Sequence, residues 1–489
     1  MPWRRKSIVG TTDPADSDKP PSPTPSLSGT EADLAAGEYP RVTAIVLAAG
    51  RGTRMRSDLP KGLHPLVGRP MVLHVLQALR DAGVRRAVVV TGFGAEAMEA
   101  AVVAGAPAGL EVGFARQSEP LGTGHATLAA RAAAPDGDLL IVNGDVPLLR
   151  AEDVCAVLSA PPARLALAAA LVPDPTNLGR VRREGERLVA VVEEADADRE
   201  TKAIREVNVG LYRAEAGWLW RTLESLGRSA SGEIYLTDAV AKAASEGEAT
   251  AVTIYASGGS LSVESRRDLA RAERVLRERI NEGWLDAGVT IVDPAATYID
   301  AGVEIGADCR IEPGTHLRGA TRVGAGSVVG PNSVLIDTRT GEGCALVQCR
   351  SEGAVLADHV DVGAFSTLRE GTVLDDHVHI GTHAETKNAH LHRGVQMGHF
   401  SYLGDVVVGE ESNIGAGAIT CNFDGVEKQQ TTIGKRCFVG SDSMLVAPIT
   451  LADDSATAAG SVVNKDVPSG SIAIGAPARL RPIRERQDE

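Results

Sequence analysis

Hydrophobic positions along this chain follow two different grammars. From about residue 41 to 263, short apolar runs alternate with helical patterns. Residues 42–48 read as a buried strand, 71–82 as a helix, 86–91 as a strand and 95–103 as a helix. Residues 139–142 read as a further strand, ending at Asn143-Gly144-Asp145. This alternation predicts a mostly parallel sheet with helices on both faces, an α/β Rossmann-like domain over 41–263. Ligands of such sheets bind at the carboxyl ends of the strands. Residues 264–287 place Leu269, Ala272, Leu276 and Ile280 at helical spacing, with charges on the other side. They predict a helical arm within a connecting segment at 264–290.

Beyond about residue 290 the period changes to six. Ile299, Ile305, Ile311, Leu317, Val323, Val329 and Leu335 recur at that interval. The register returns at Val362, Leu368, Leu374 and Ile380, then at Leu391, Met397 and Leu403, at Val408 and Ile414, and at Ile433, Val439, Leu445 and Leu451. A six-residue period fits neither an amphipathic helix nor an alternating strand. It predicts a left-handed parallel β-helix of hexapeptide repeats over 291–489, closed by a short charged tail, with the aliphatic residues inward. Glycine directly follows many of these residues, which suits tight corners. Residues 421–430 break the period and are expected to loop outward. Residues 1–40, rich in Pro, Ser, Thr and Asp, are expected to be a disordered tail.

Composition narrows the classes of function. The 489 residues carry 64 acidic and 50 basic side chains, a net charge of −14. That balance opposes non-specific binding to nucleic acid or to an anionic membrane. No apolar run is long enough to span a bilayer, and no secretory h-region follows the basic start. The six cysteines show no C-x-x-C spacing and read as reduced thiols of a cytoplasmic protein.

The chemistry-bearing motifs fall in both halves. Leu47-Ala48-Ala49-Gly50-Arg51-Gly52-Thr53-Arg54-Met55 follows the first strand. It is neither G-x-G-x-x-G nor a P-loop, but its glycines let backbone N–H groups approach an anion, with Arg54 and Lys61 adding charge. With Pro60-Lys61 the string resembles the signature of sugar-phosphate nucleotidyltransferases. Gln117 and Leu121-Gly122-Thr123-Gly124-His125-Ala126 resemble that family's uracil-recognising loop, and Asn143-Gly144-Asp145 its metal-carrying strand end. Gly179-Arg180, Val192-Glu193 and Glu206-Val207-Asn208-Val209-Gly210 resemble its sugar-contacting segments, and Gly232-Glu233-Ile234-Tyr235-Leu236-Thr237-Asp238 is a further landmark. The resemblance implies that Asp145 carries Mg²⁺, an ion that favours one or two carboxylates with phosphate and water. It also implies attack of a sugar-1-phosphate oxygen on the α-phosphorus of UTP, with positioning and charge neutralisation supplying the rate.

In the second half, Arg369 and Lys387 lie 18 residues apart, one turn of a three-hexad coil. Stacked about 5 Å apart, they need an anion between them, which points to a phosphate site. His399 lies in Met397-Gly398-His399-Phe400-Ser401-Tyr402-Leu403. The register drop at Val408 puts Ala416 one coil above it, where a small side chain leaves room for a ligand. Ser441 and Ala459 are also 18 apart. Together with Gly415 to Asn422 (GAGAITCN) and Val439-Gly440-Ser441-Asp442, these strings resemble the bacterial bifunctional N-acetylglucosamine-1-phosphate uridylyltransferase/glucosamine-1-phosphate N-acetyltransferase family, over about residues 41–480.

By that resemblance His399 is the general base for acetyl transfer from acetyl-CoA to the amine of glucosamine-1-phosphate. An imidazole titrates near about 6.5, which suits the task. Arg369, Lys387, Tyr402 and Asn413 hold the sugar phosphate. Ala416, Asn422, Phe423, Ser441, Ala459 and Ala476 line the acetyl-CoA site, and the family is a homotrimer with those sites between subunits. The product, N-acetylglucosamine-1-phosphate, would then be coupled to UTP, giving a precursor for peptidoglycan and, where present, lipopolysaccharide.

The chain departs from the family pattern at several positions. Glu264 falls where the family places an Asn metal ligand, so Asp145 and Glu264 form the expected metal pair. Asn143 replaces an aromatic residue, Asn388 a lysine, Phe423 a tyrosine and Ala476 an arginine. These differences keep two alternatives open: an acetyltransferase with an impaired uridylyltransferase half, and a non-catalytic sugar-nucleotide sensor. The six histidines between His377 and His399 match no H-E-x-x-H or zinc-finger spacing, and most are expected to be solvated surface.

Overall fold

A computed structural model describes residues 39–229, 232–254 and 262–482. The expected tail at 1–40 lies outside the described residues up to position 38, and so does the chain beyond 482. Tyr39 and Pro40 are already strand, two residues earlier than the sequence pattern suggests. The Tyr39 N–H reaches the carbonyl of Gly83, and Tyr39 pairs with Val84, so the neighbouring strand captures them.

The first half is built on a twisted sheet. Its order is Ala249–Thr253, Leu165–Leu171, Glu206–Glu215, Asp138–Asn143, Tyr39–Leu47, Val84–Thr91 and Glu111–Arg116. All neighbours are parallel except Glu206–Glu215, which runs antiparallel to both of its partners. The hairpin of Arg180–Glu184 and Arg187–Val192 attaches to it through Arg180 and Val207. Side chains alternate across a strand, so Ala44 and Val46 face one core while Ile45 faces the other. Helices Met71–Asp81, Ala95–Gly105 and Ala151–Leu158 cover the first face; Thr123–Ala129, Ala216–Ser225 and Thr237–Ser245 cover the second.

Helix Arg266–Asp286 begins at a capping box, in which Ser265 and Asp268 satisfy each other's backbone. Its buried Ala272, Val275, Leu276, Ile280 and Trp284 belong to the core of the second half, which also takes in Leu66, Val67, Met71 and Leu148 of the first. The Asn281 amide, also buried, donates to the carbonyls of Pro294 (2.8 Å) and Thr297 (3.1 Å) and pins the first coil. Toward the first half, Glu273 accepts from the Val67 N–H at 2.8 Å and Arg279 donates to the Leu148 carbonyl at 2.8 Å.

From Thr290–Ile291 onward the chain winds as a three-sided parallel β-helix. All twenty aliphatic residues of the six-residue series are buried inward. Serine and threonine fill interior positions too; the Ser366 hydroxyl, for example, donates to the Gly381 carbonyl at 2.7 Å. The glycines have a steric reason. A Cβ on Gly398, Gly415 or Gly440 would lie 2.7, 2.6 or 2.6 Å from backbone of the next coil. Coil length is not constant: Val329 partners Ile311 from eighteen residues on, whereas Leu346 partners Val329 from seventeen. Residues 422–430 leave the coil, with Val426 90% exposed, and are drawn back by a bridge between Phe423 and Lys428. The far end closes with Ser471–Ile474 paired antiparallel to Arg479–Pro482. All six cysteines are free thiols. Among the described residues no helix is long and apolar enough to cross a membrane.

Candidate active sites

The first candidate site lies where strands Tyr39–Leu47 and Asp138–Asn143 end side by side. The Gly144 N–H donates to the Leu47 carbonyl at 2.9 Å, and the Ala48 N–H to that of Val90 at 2.9 Å. The chain from Leu47 through Ala48, Ala49 and Gly50 is thus held at the sheet edge. Gly52 adopts a left-handed φ of 64°, and a Cβ there would meet the Lys61 Cβ at 2.7 Å. That close approach brings Lys61 in beneath the loop.

Lys61 Nζ lies 2.6 Å from Asp145 Oδ2 and 2.6 Å from Glu264 Oε2, and Arg54 reaches Glu264 at 2.9 Å. Glu264 arrives because the Val263 N–H donates to the Asp145 carbonyl at 2.9 Å. Burial disfavours the Lys61 ammonium, yet Asp145 and then Glu264 outweigh it and hold its pKa above the usual lysine value. The other Asp145 oxygen, Oδ1, is buried without a hydrogen-bond partner. An orphaned carboxylate oxygen, on a carboxylate that shares Lys61 with a second one, fits a divalent cation with oxygen preference. Asp145 and Glu264 would hold Mg²⁺ there, where the ion neutralises triphosphate charge.

The expected uracil loop packs beside this edge. Gln117 Nε2 donates to the Gly122 carbonyl at 3.2 Å and lies 3.1 Å from His125 Nδ1. Gly122 has φ 96°, and a Cβ there would meet the Ile234 carbonyl at 2.6 Å. Thr123 Oγ1 accepts from the Leu236 N–H at 3.0 Å, so the landmark segment 232–238 buttresses the loop. Glu193 accepts from Thr237 at 3.0 Å, and burial raises its pKa above the ordinary glutamate value. Gly179 adjoins it, since a Cβ there would lie 3.4 Å from Glu193 Oε2, and the Gly179 carbonyl accepts from the Asn208 N–H at 2.8 Å. Asn143 lies against Gly210, where a Cβ would come within 2.4 Å of its amide nitrogen. The shorter Asn143 thus fills a space next to the sugar-contacting segment.

The second candidate site runs along the β-helix. Leu368 pairs with Thr386, which aligns Arg369 with Lys387 on consecutive coils. Arg369 pairs with Glu385 at 3.0 Å. Lys428, on the excursion at 422–430, joins them: first Lys428 and then Arg369 hold the Lys387 ammonium below the usual lysine range. Sequence spacing gave no sign of Lys428, because only the fold-back of the excursion brings it there. Three cations around one point form an anion cradle. Asp405 accepts from Asn388 (2.7 Å) and from Asn422, tying the excursion to the coil beneath. Phe423, beside Asn422, is exposed.

At the other end of the same face, Met397 pairs with Ile414, which aligns His399 with Ala416. Val439 pairs with Thr457, which likewise aligns Ser441 with Ala459. Thr382, His399, Ala416, Ser441 and Ala459 therefore form one column at a corner, and Ala476 lies just beyond its end. His399 is exposed, with Nδ1 at 3.2 Å from both the Thr382 N–H and its hydroxyl. Tyr402 lies between His399 and the cations, its ring over Gly404, the residue paired with Lys387. Asn413 does not join them within one chain. It belongs to the preceding face, paired with Gln396 and Phe438.

Known protein families bear on this arrangement. Residues 44–208 match the MobA-like NTP transferase domain. Residues 302–337 match the bacterial transferase hexapeptide repeat, and 430–465 the hexapeptide repeat of succinyl-transferase. The bifunctional protein GlmU of Kineococcus radiotolerans is 43% identical over 89% of this chain and 90% of its own length. The chain belongs to the GlmU family. Bifunctional protein GlmU of Thermus thermophilus is 43% identical over 91% of this chain and 96% of its own. That of an Anaeromyxobacter species is 44% identical over 89% and 90%. With the hexapeptide matches, the solenoid of this GlmU-family chain is a left-handed β-helix. Of the six histidines, His377, His383 and His399 are exposed, whereas His379 pairs with Asp361, and His390 and His392 both bind Asp375, which coil stacking rather than local spacing brings to them.

Proposed function

We propose that the chain makes UDP-N-acetylglucosamine in two steps: acetylation of glucosamine-1-phosphate by acetyl-CoA, then uridylyl transfer from UTP with release of pyrophosphate. The observation that carries this reading is one chain equipped twice. Lys61, Asp145 and Glu264 meet at a sheet edge, and Arg369, Lys387 and Lys428 meet on a β-helix face that also bears His399. Residues 41–263 are assigned the uridylyl step, 264–290 the connection and 291–489 the acetyl step.

In the first step His399 takes a proton from the substrate amine as nitrogen attacks the thioester carbonyl; the C–S bond then breaks, and the CoA sulfur leaves as the thiol with the proton returned from the imidazole. Thr382 orients the ring. The cation cradle fixes the sugar phosphate, Tyr402 spans the distance to His399, and the column Ala416, Ser441, Ala459 gives the acetyl-CoA arm a small-residue track. Asn413, standing on a different face, would serve a neighbouring subunit's site, which supports a homotrimer. In the second step Arg54 and Lys61 bind the triphosphate, Gln117, Gly122 and Thr123 read the uracil, and Gly179, Glu193 and Asn208 place the sugar.

Two assays test this. UTP, Mg²⁺ and N-acetylglucosamine-1-phosphate should yield pyrophosphate; acetyl-CoA and glucosamine-1-phosphate should yield free thiol. His399→Ala should cut thiol release by about 10²- to 10⁴-fold, the usual range for a lost general base, and spare pyrophosphate release. Asp145→Asn should do the reverse. Purified protein silent in both assays would leave the sensor reading in its place.

A further inference from the structure

Outside both candidate sites, Asp375, His390 and His392 converge on another corner of the β-helix. His390 and His392 flank the inward Leu391 at the end of strand Glu385–Leu391, so both imidazoles project outward. Leu374 pairs with Leu391, which places Asp375 level with His392 on the preceding coil. Asp375 Oδ1 lies 3.0 Å from His390 Nε2, and Oδ2 lies 2.8 Å from His392 Nδ1. One ligand atom from each residue falls within 4.8 Å of the other two. The rings are 4.1 Å apart between centroids. Among the described residues no lysine or arginine pairs with Asp375; its two oxygens are committed to the two imidazoles.

We propose that Asp375, His390 and His392 bind a divalent transition-metal ion, of which zinc is the fitting example, and that the ion joins two consecutive coils. Two imidazoles and one carboxylate suit zinc and its neighbours, whereas magnesium favours all-oxygen sets. Zinc bonds of about 2.0–2.1 Å set tetrahedral ligand atoms roughly 3.3 Å apart, so the gaps between carboxylate and imidazoles need widen only slightly. Binding moves each imidazole proton to the ring nitrogen facing away, and water completes the coordination. Ala357 and Gly409, which flank Asp375 and His392 on the outer coils, leave that side open. The ladder fixes all three donors before the ion arrives, because each sits beside a fully inward leucine.

The test is a Zn²⁺ titration of the untagged full chain against a chromogenic chelator, with Mg²⁺ saturating so that Asp145 and Glu264 are covered. One zinc per chain is expected, with affinity reduced at least about tenfold in Asp375→Asn and the tight site absent from His390→Gln/His392→Gln. Glutamine keeps a donor for Asp375, so the double variant preserves the coil contact. Independently, anomalous scattering at the zinc edge from a soaked crystal of the unaltered protein should peak between these three side chains. No uptake by the unaltered chain, equal uptake by the double variant, or a peak elsewhere overturns the proposal.

Discussion

Glu264 accepts from Lys61 and from Arg54 at once, so a single carboxylate engages both cations that would bind triphosphate. Because Lys61 bridges Glu264 and Asp145, a metal ion bound as proposed by these carboxylates would have to displace its ammonium. Glu264→Gln removes one negative ligand and frees both cations. The Mg²⁺ concentration at half-maximal pyrophosphate release should rise about tenfold, since carboxylate count tunes affinity for hard cations. A magnesium titration of the variant checks this, and an unchanged midpoint would take Glu264 out of the metal site. At this scale the sequence was only partly legible. Asp145 announces itself by closing a strand, whereas Glu264 lies 119 residues later and is reached from the sequence only through the family resemblance; the Val263 N–H bonded to the Asp145 carbonyl is what brings it to the site.

At the scale of elements, helix Met71–Asp81 carries His74, whose Nε2 lies 3.0 Å from the Leu66 carbonyl. The ring lines a cavity of about 330 Å³ between that helix, helix Arg266–Asp286 and the first coil. Burial pushes its pKa down from 6.5 to about 4. The unfolded chain therefore binds the proton more readily. The contribution to stability is complete above about pH 6.5 and is lost as pH falls toward 4, with about 2 kcal/mol gone by pH 5. His74→Gln should flatten that dependence, as urea midpoints at pH 7 and pH 5 would show. A second expectation concerns coil packing. Gly415→Ala forces a methyl to 2.6 Å from the Ser441 nitrogen and should cost about 1–3 kcal/mol, read from the denaturant midpoint.

Elements differ in how openly the sequence declares them. The six-residue series is unmistakable because every member points inward. The parallel strands are nearly as plain. Partners across coils are harder to read, since turns of sixteen to eighteen residues separate them: Leu346 pairs with Val362, but Ile311 with Val329. Asp375 meeting His390 and His392, and Lys428 meeting Lys387, both depend on that winding and leave no local signature.

Over the whole molecule, the two halves share a helix whose apolar side lies in one continuous core, joining the β-helix interior to Leu66, Val67, Met71 and Leu148 of the first half. The acetylated sugar phosphate has no covalent tether in the proposed scheme. Equal amounts of His399→Ala and Asp145→Asn protein should therefore restore UDP-N-acetylglucosamine synthesis from glucosamine-1-phosphate, acetyl-CoA and UTP, followed by chromatography of the nucleotide product. Failure of the mixture would mean that the intermediate is handed over within one assembly. The reversed strand Arg479–Pro482 has a consequence of its own. A winding of parallel strands ends in an open row of amides and carbonyls that invites another such row. Here, on one of the three faces, that row is met by a strand running the wrong way to continue the spiral, carrying Arg479, Arg481 and Pro482. It acts as a terminator of that face, and a protein shortened before Arg479 would expose Ser471–Ile474 as a template for end-to-end fibre growth.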